Sequence, residues 1–175
     1  MKPLLVFTLL FYGMPAMSQQ ENSALSNDII KTWAIHTSMS HKLLESISKE
    51  SLSDHSASGG RSVGEQFAHI HNVRVQWLKE LDKEHSDQLN ELSKEDSHDQ
   101  EKLSRSLKQS DEMITKYLTD KLAMGTDTKP MSPVTFMGYL ISHESHTRGQ
   151  IILSLKQAGH PVGPNIAYGI WNWSQ

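Results

Sequence analysis

Residues 132–155 read SPVTFMGYLISHESHTRGQIILSL. Ser132 is a helix-capping residue, and Pro133 suits the first helical position, where a missing N–H leaves no bond unmade. Phe136, Tyr139, Leu140, His143, Thr147, Ile151 and Leu155 then recur at three- and four-residue intervals, which is one face of an α-helix. Gly159 and Pro161 close the segment. The stretch is predicted as a long amphipathic helix, and histidines punctuate its inner half.

The upstream sequence repeats this design. Residues 125–132 (GTDTKPMS) form a connector, and Gly125 stops the helix before it. That helix begins at Ser97-His98-Asp99-Gln100, read as a capping box, and carries Leu103, Leu107, Ile114, Tyr117, Leu118 and Leu122. Another capping box, Ser62-Val63-Gly64-Glu65, opens a helix with Val63, Phe67, Ile70, Trp77, Leu78 and Leu81 on its apolar side. The spacing extends that helix, frayed or bent, toward Leu92. Residues 48–61 are polar and small, and are predicted as a loop. The first helix is expected from Asn27 to Ile47, capped by Ser26, with Ile29, Trp33, His36, Ser40, Leu43, Leu44 and Ile47 inward. The tail holds Tyr168, Ile170, Trp171 and Trp173. It is expected to pack back on the domain, since burying one aromatic contributes about 1.5–3 kcal/mol. Four amphipathic helices predict an all-α four-helix bundle.

Met1–Ser18 (MKPLLVFTLLFYGMPAMS) has one positive residue, a short apolar run, helix breakers and small residues at a cleavage position. This is the layout of a secretory signal peptide, and the run is too short to span a bilayer. The expected product is one domain over residues 19–175, periplasmic or secreted, with no stable membrane anchor. An uncleaved anchor or a buried first helix are the competing readings. The chain of 175 residues has no cysteine, which excludes disulfides, Cys-ligated zinc and thiolate nucleophiles. With 17 Lys+Arg against 20 Asp+Glu and a net charge of −3, no nucleic-acid partner is expected.

The unusual count is ten histidines. They are densest in Phe67–Asn72 (FAHIHN) and His143–Gln150 (HESHTRGQ). Neutral imidazole is a ligand for zinc, nickel and iron. Residues three or four apart share a helix face, so His143 with His146 or Thr147 can address one ion, with His69 supplied by a facing helix. On spacing alone the pair is a weak motif, and the plainer reading, His143 and His146 as ordinary half-buried or surface histidines and His69 as a hydrogen-bonded core residue, is the favoured one. His71 lies about 200° round the helix from His69 and is expected at the surface. His36 falls on an inner stripe and can approach the same site. His41, His55, His85 and His98 are expected to be solvated. Arg148 has two readings, a holder of an anionic substrate or a partner in a salt bridge or carbonyl bond. Glu144, a candidate base, is turned about 100° from His143. No Ser/His/Asp triad, P-loop or GxGxxG is present.

Taken together, Trp33–His36 (WAIH), Ser62–Trp77 (SVGEQFAHIHNVRVQW), His143–Gln150, Gly159–Val162 and Ala167–Trp171 resemble the DinB-like superfamily, which includes the bacillithiol- and mycothiol-dependent transferases. The resemblance runs from Trp33 to Trp173. It implies a four-helix bundle, often dimeric, in which three histidines hold a divalent metal. His69 matches the first ligand and His143 the second. The third position, before Arg-Gly-Gln, is Thr147 here where the family has histidine. A threonine hydroxyl is a poor ligand for zinc or nickel. His146, about 60° to the other side of His143, is the nearest replacement, and a carboxylate or water is the alternative. The expected metal set is His69, His143 and His146. The implied activity is metal-dependent transfer of a thiol to an electrophile or a related hydrolysis on an unidentified small molecule. The alternative is a non-catalytic metal- or ligand-binding bundle.

Overall fold

The computed structural model describes residues 15–125 and 130–171, with side chains from residue 23 onward. Four long helices carry the fold: α1 (Pro15–Glu45), α2 (Val63–Leu81), α4 (Gln100–Met124) and α5 (Pro133–Gln157). Two single-turn helices complete it, α3 (Lys83–Ser86) in the connection from α2 to α4 and α6 (Pro164–Ala167) in the C-terminal tail. No strand occurs among the described residues, and the chain is an all-α bundle. Both α1 and α2 pack on α4 and on α5. None of the described helices is long and apolar enough to cross a membrane.

The helix ends follow local chemistry. Ser62 and Glu65 form the reciprocal capping box: Glu65 N donates to Ser62 Oγ at 3.2 Å, and Ser62 N to Glu65 Oε2 at 2.7 Å. Ser132 caps α5, with Pro133 in its first turn. Gly125 ends α4 at φ 106°, a left-handed backbone that glycine adopts without strain. The box expected at Ser97 does not form. Asp99 caps α4 instead, and Gln100 donates to the Leu44 and Ile47 carbonyls at the end of α1. One glutamine thus closes a neighbouring helix rather than its own.

Other boundaries depart from the sequence reading. Helix α1 starts at Pro15, not Asn27, and the rest of the proposed leader, residues 1–14, lies outside the described residues. The loop at 48–61 contains a 3-10 turn, Glu50–Ser53, which buries Leu52. Helix α2 stops at Leu81 rather than running to Leu92. Beyond α3, the chain is tied back to α2: Asn72 donates to the Leu92 carbonyl at 2.9 Å and accepts from Leu92 N at 2.8 Å. Gly64 lets the Ser97 carbonyl approach, and a Cβ there would overlap that oxygen. Val162, Ile166 and Ile170 seat the tail, while Tyr168 is 91% exposed and Trp173 lies outside the described residues.

The core comes in two parts. Leu43, Leu44, Phe67, Ile70, Leu103, Leu107, Ile151 and Leu155 fill one. Trp33, Val75, Leu78, Ile114, Tyr117, Phe136 and Leu140 fill the other. On every long helix the residues between these two sets include buried polar ones: His36 and Ser40 on α1, Arg74 on α2, Ser110 on α4, Glu144 and Arg148 on α5. A charged layer therefore crosses the middle of the bundle, and the histidine-rich stretches of α2 and α5 meet beside it.

Candidate functional site

His69 on α2 and His143 on α5 are both half-buried, and their Nε2 atoms share a hydrogen bond at 3.2 Å, one ring donating and the other accepting. The rings meet edge to face, 68° between planes. His143 also stacks on Tyr139 one turn before it, and Tyr139 rests edge-on against Trp77. Burial, then the positive charge of Arg61, then His143 push the His69 imidazole down to about 4. Burial is also the main cause lowering His143. Both rings are therefore neutral near pH 7, the form in which imidazole donates to a metal.

The pair can be tested against a divalent ion. Two imidazoles each about 2.0–2.1 Å from one tetrahedral ion would hold their nitrogens about 3.3 Å apart, and 3.2 Å separates them here. The chemistry and spacing fit two ligands. A third is not at hand: no group of three His, Cys, Asp or Glu residues able to hold a metal occurs among the described residues. Thr147 is buried, and its hydroxyl donates to the His143 carbonyl at 3.0 Å. His146 is exposed to solvent, outside the pair. Among the described residues His143 Nδ1 is buried without a hydrogen bond, so none of them is the outer partner that usually orients a ligating histidine.

His36 does not join them. Its Nε2–H donates to Glu144 at 2.9 Å, and its Nδ1 accepts from Arg148 at 3.3 Å, one neutral tautomer serving both bonds. Glu144 is grasped by Arg74, with Nε to Oε1 at 2.7 Å and Nη2 to Oε2 at 2.8 Å. Arg74 also reaches Ser110 and Asp111 on α4. Burial alone would raise the Glu144 carboxyl, but the Arg74 charge and the His36 bond hold it down to about 2. Glu144 is thus an ionised member of a buried network. Arg148 takes the salt-bridge reading: it bonds Ser40, His36 and Ser145 and lies 4.0 Å from Glu144.

Three histidines depart from expectation. His71 is buried, donating from Nε2 to the Asn90 carbonyl at 2.9 Å, because the chain after α3 folds back over that face of α2. His85 is buried between Asp82, at 3.0 Å, and Asp120, at 3.3 Å. His41 is half-buried against Asp111. His55 and His98 are exposed, as expected. Arg74 carried no flag in the sequence reading. The available signal was its place in the α2 stripe, four residues after Ile70 and four before Leu78, where an apolar residue belongs.

A surface hollow of about 280 Å³ opens beside His69, lined among others by Arg61, Glu65, Asn72, Gln76 and Lys94. A larger one, about 810 Å³, lies between the start of α1 and the end of α4 and has no titratable side chain in its lining. It carries no chemistry of its own.

No curated protein and no solved structure matches the chain significantly. The model of the DinB family, whose members are generally metal-binding, matches residues 17–174. A match over nearly the whole chain, together with the all-α bundle and the histidines meeting between α2 and α5, leads to one assignment: the chain belongs to the DinB family.

Proposed function

We propose that this chain is an exported DinB bundle that holds a divalent cation (zinc, nickel or iron) between His69 and His143. The activity it serves is thiol transfer to an electrophile or a related hydrolysis. The observation that carries the reading is the approach of two neutral imidazoles, Nε2 to Nε2, at 3.2 Å. A bound cation would supply Lewis acidity and lower the pKa of a coordinated water or thiol. The chain's own part is to aim the two rings, with Tyr139 backing His143 and the Arg74–Glu144 clamp tying α2 to α5. Export is supported by the layout of Met1–Ser18, and protein recovered from the periplasm should begin near Gln19.

A second reading, a metal-binding bundle without turnover, is favoured by one observation. Thr147 stands where a third ligand belongs, and its hydroxyl is bonded back to its own helix. Zinc and nickel titration of untagged mature protein separates the cases. One equivalent should bind, and His69→Ala or His143→Ala should abolish binding. No uptake by the parent would remove both readings. Binding without activity on thiol and ester substrates selects the second.

We also propose a homodimer formed through α5. Between Pro133 and Leu155 only Glu144 and Arg148 are charged, and both are buried. Val134, Gly138, Ser142, Ser145, Gly149 and Leu153 are all exposed and fall within about 100° of arc. Set antiparallel to a copy of itself, this row places Val134 opposite Leu153, Gly138 opposite Gly149 and Ser142 opposite Ser145. A two-fold contact requires that self-matching order, and interface cores are depleted of charge.

A further inference from the structure

The hollow beside His69 holds three charged side chains, and two are already committed. Glu65 accepts from Ser62 N at 2.7 Å and pairs with Lys94 at 3.2 Å. The polar walls are engaged as well: the Asn72 amide donates to and accepts from Leu92, and Gln76 donates to Glu91 at 2.8 Å. What is left is Arg61. Of the four arginines, Arg74 and Arg148 are bound inside the bundle and Arg105 lies 3.7 Å from Glu101. The Arg61 guanidinium has no hydrogen bond or ion pair among the described residues. Its backbone is held, because its carbonyl accepts from Gln66 and the next residue is the N-cap of α2. Arg61 and His69 line the same hollow, so an anion held at the guanidinium lies beside that ring.

We infer that Arg61 anchors an anionic group, carboxylate or phosphate, of the small molecule handled at His69 and His143, so that the site takes an anion. The inference rests on the His69–His143 pair being the working site, but it does not need the metal. A guanidinium with free donors binds either oxyanion in bidentate fashion.

The test uses the full mature chain, stripped of metal by a chelator, at constant pH and ionic strength. Inorganic phosphate, and separately acetate, is titrated while the His69 ring resonances are followed by NMR. The expected result is a saturating shift that weakens about tenfold or more in Arg61→Gln and less than about twofold in Lys94→Gln. Tighter phosphate binding indicates a phosphate ester, and tighter acetate binding a carboxylate. Arg61 is exposed, so unchanged melting of Arg61→Gln verifies the fold. A linear, non-saturating shift in the parent, or equal binding by Arg61→Gln, overturns the inference. Zinc uptake measured in a separate phosphate-free sample keeps the readings apart. Zinc binding without Arg61-dependent anion binding sinks only this inference. Arg61-dependent anion binding without zinc uptake sinks only the metal.

Discussion

Thr147 decides how strong the candidate site is. Its side chain is short and buried, and its hydroxyl proton already has an acceptor in the His143 carbonyl. An imidazole placed there would add a third nitrogen to the two that face each other. Thr147→His is expected to tighten zinc binding by about tenfold or more, judged by what even an outer-shell partner is worth. Calorimetric titration checks this, and an unchanged affinity would mean that position 147 does not look toward the pair. The histidines also set a pH response. His36, His69, His71 and His143 all lie below the ordinary value of 6.5, chiefly because burial disfavours the charged ring. The unfolded chain therefore takes up protons that the folded chain refuses. The part of the stability that these rings contribute is present above pH 6.5 and declines as pH falls toward the His69 value of about 4. The melting temperature should drop by about 3 °C or more between pH 7 and pH 5, and a flat profile would contradict it. At this scale the sequence showed the His69–His143 pairing because each lies in a recognisable stretch. It did not show the fate of His71 or Thr147. Their partners are backbone carbonyls, and no residue type marks a carbonyl.

Between elements, the strongest tie is the one joining α2 to α5. Arg74 and Glu144 are both wholly buried and share two parallel hydrogen bonds, so removing either takes from the other its closest charge partner in a dry interior, although Asp111 still faces Arg74 and His36 still faces Glu144. Arg74→Met or Glu144→Leu alone is expected to cost about 3–5 kcal/mol, and the double replacement less than the sum of the two. Urea unfolding of the three variants measures this, and simple additivity would show that the pair is not coupled. Element identity was legible from periodicity, and the Ser62 and Ser132 caps were legible from residue type. The end of α2 was not, because residues 82–96, polar except for Leu89 and Leu92, carry no period and are held by the side chains of His71 and Asn72. The inner face of α5 was read slightly out of phase. Tyr139 is 37% exposed, while Glu144, assigned away from the stripe, is wholly buried. A stripe drawn through apolar and histidine positions leaves out the charged ones, and in this bundle Glu144 and Arg148 belong to the buried face.

For the whole molecule, the outer face of α5 gives a prediction of assembly. Light scattering on the purified chain should report twice the monomer mass. Gly149→Glu should return it to a monomer with little change in melting, because a side chain at Gly149 meets no atom within 4 Å in the single chain. A monomeric parent would exclude the dimer. Finally, the ionic layer has a mechanical consequence for the fold. Helices joined only by aliphatic side chains can slide along one another by a turn, about 5.4 Å, and still bury comparable surface. Here such a slip would pull Glu144 away from Arg74 and His36, stranding charge in a dry interior. The layer acts as a key in its slot, permitting only one axial alignment of the four rods.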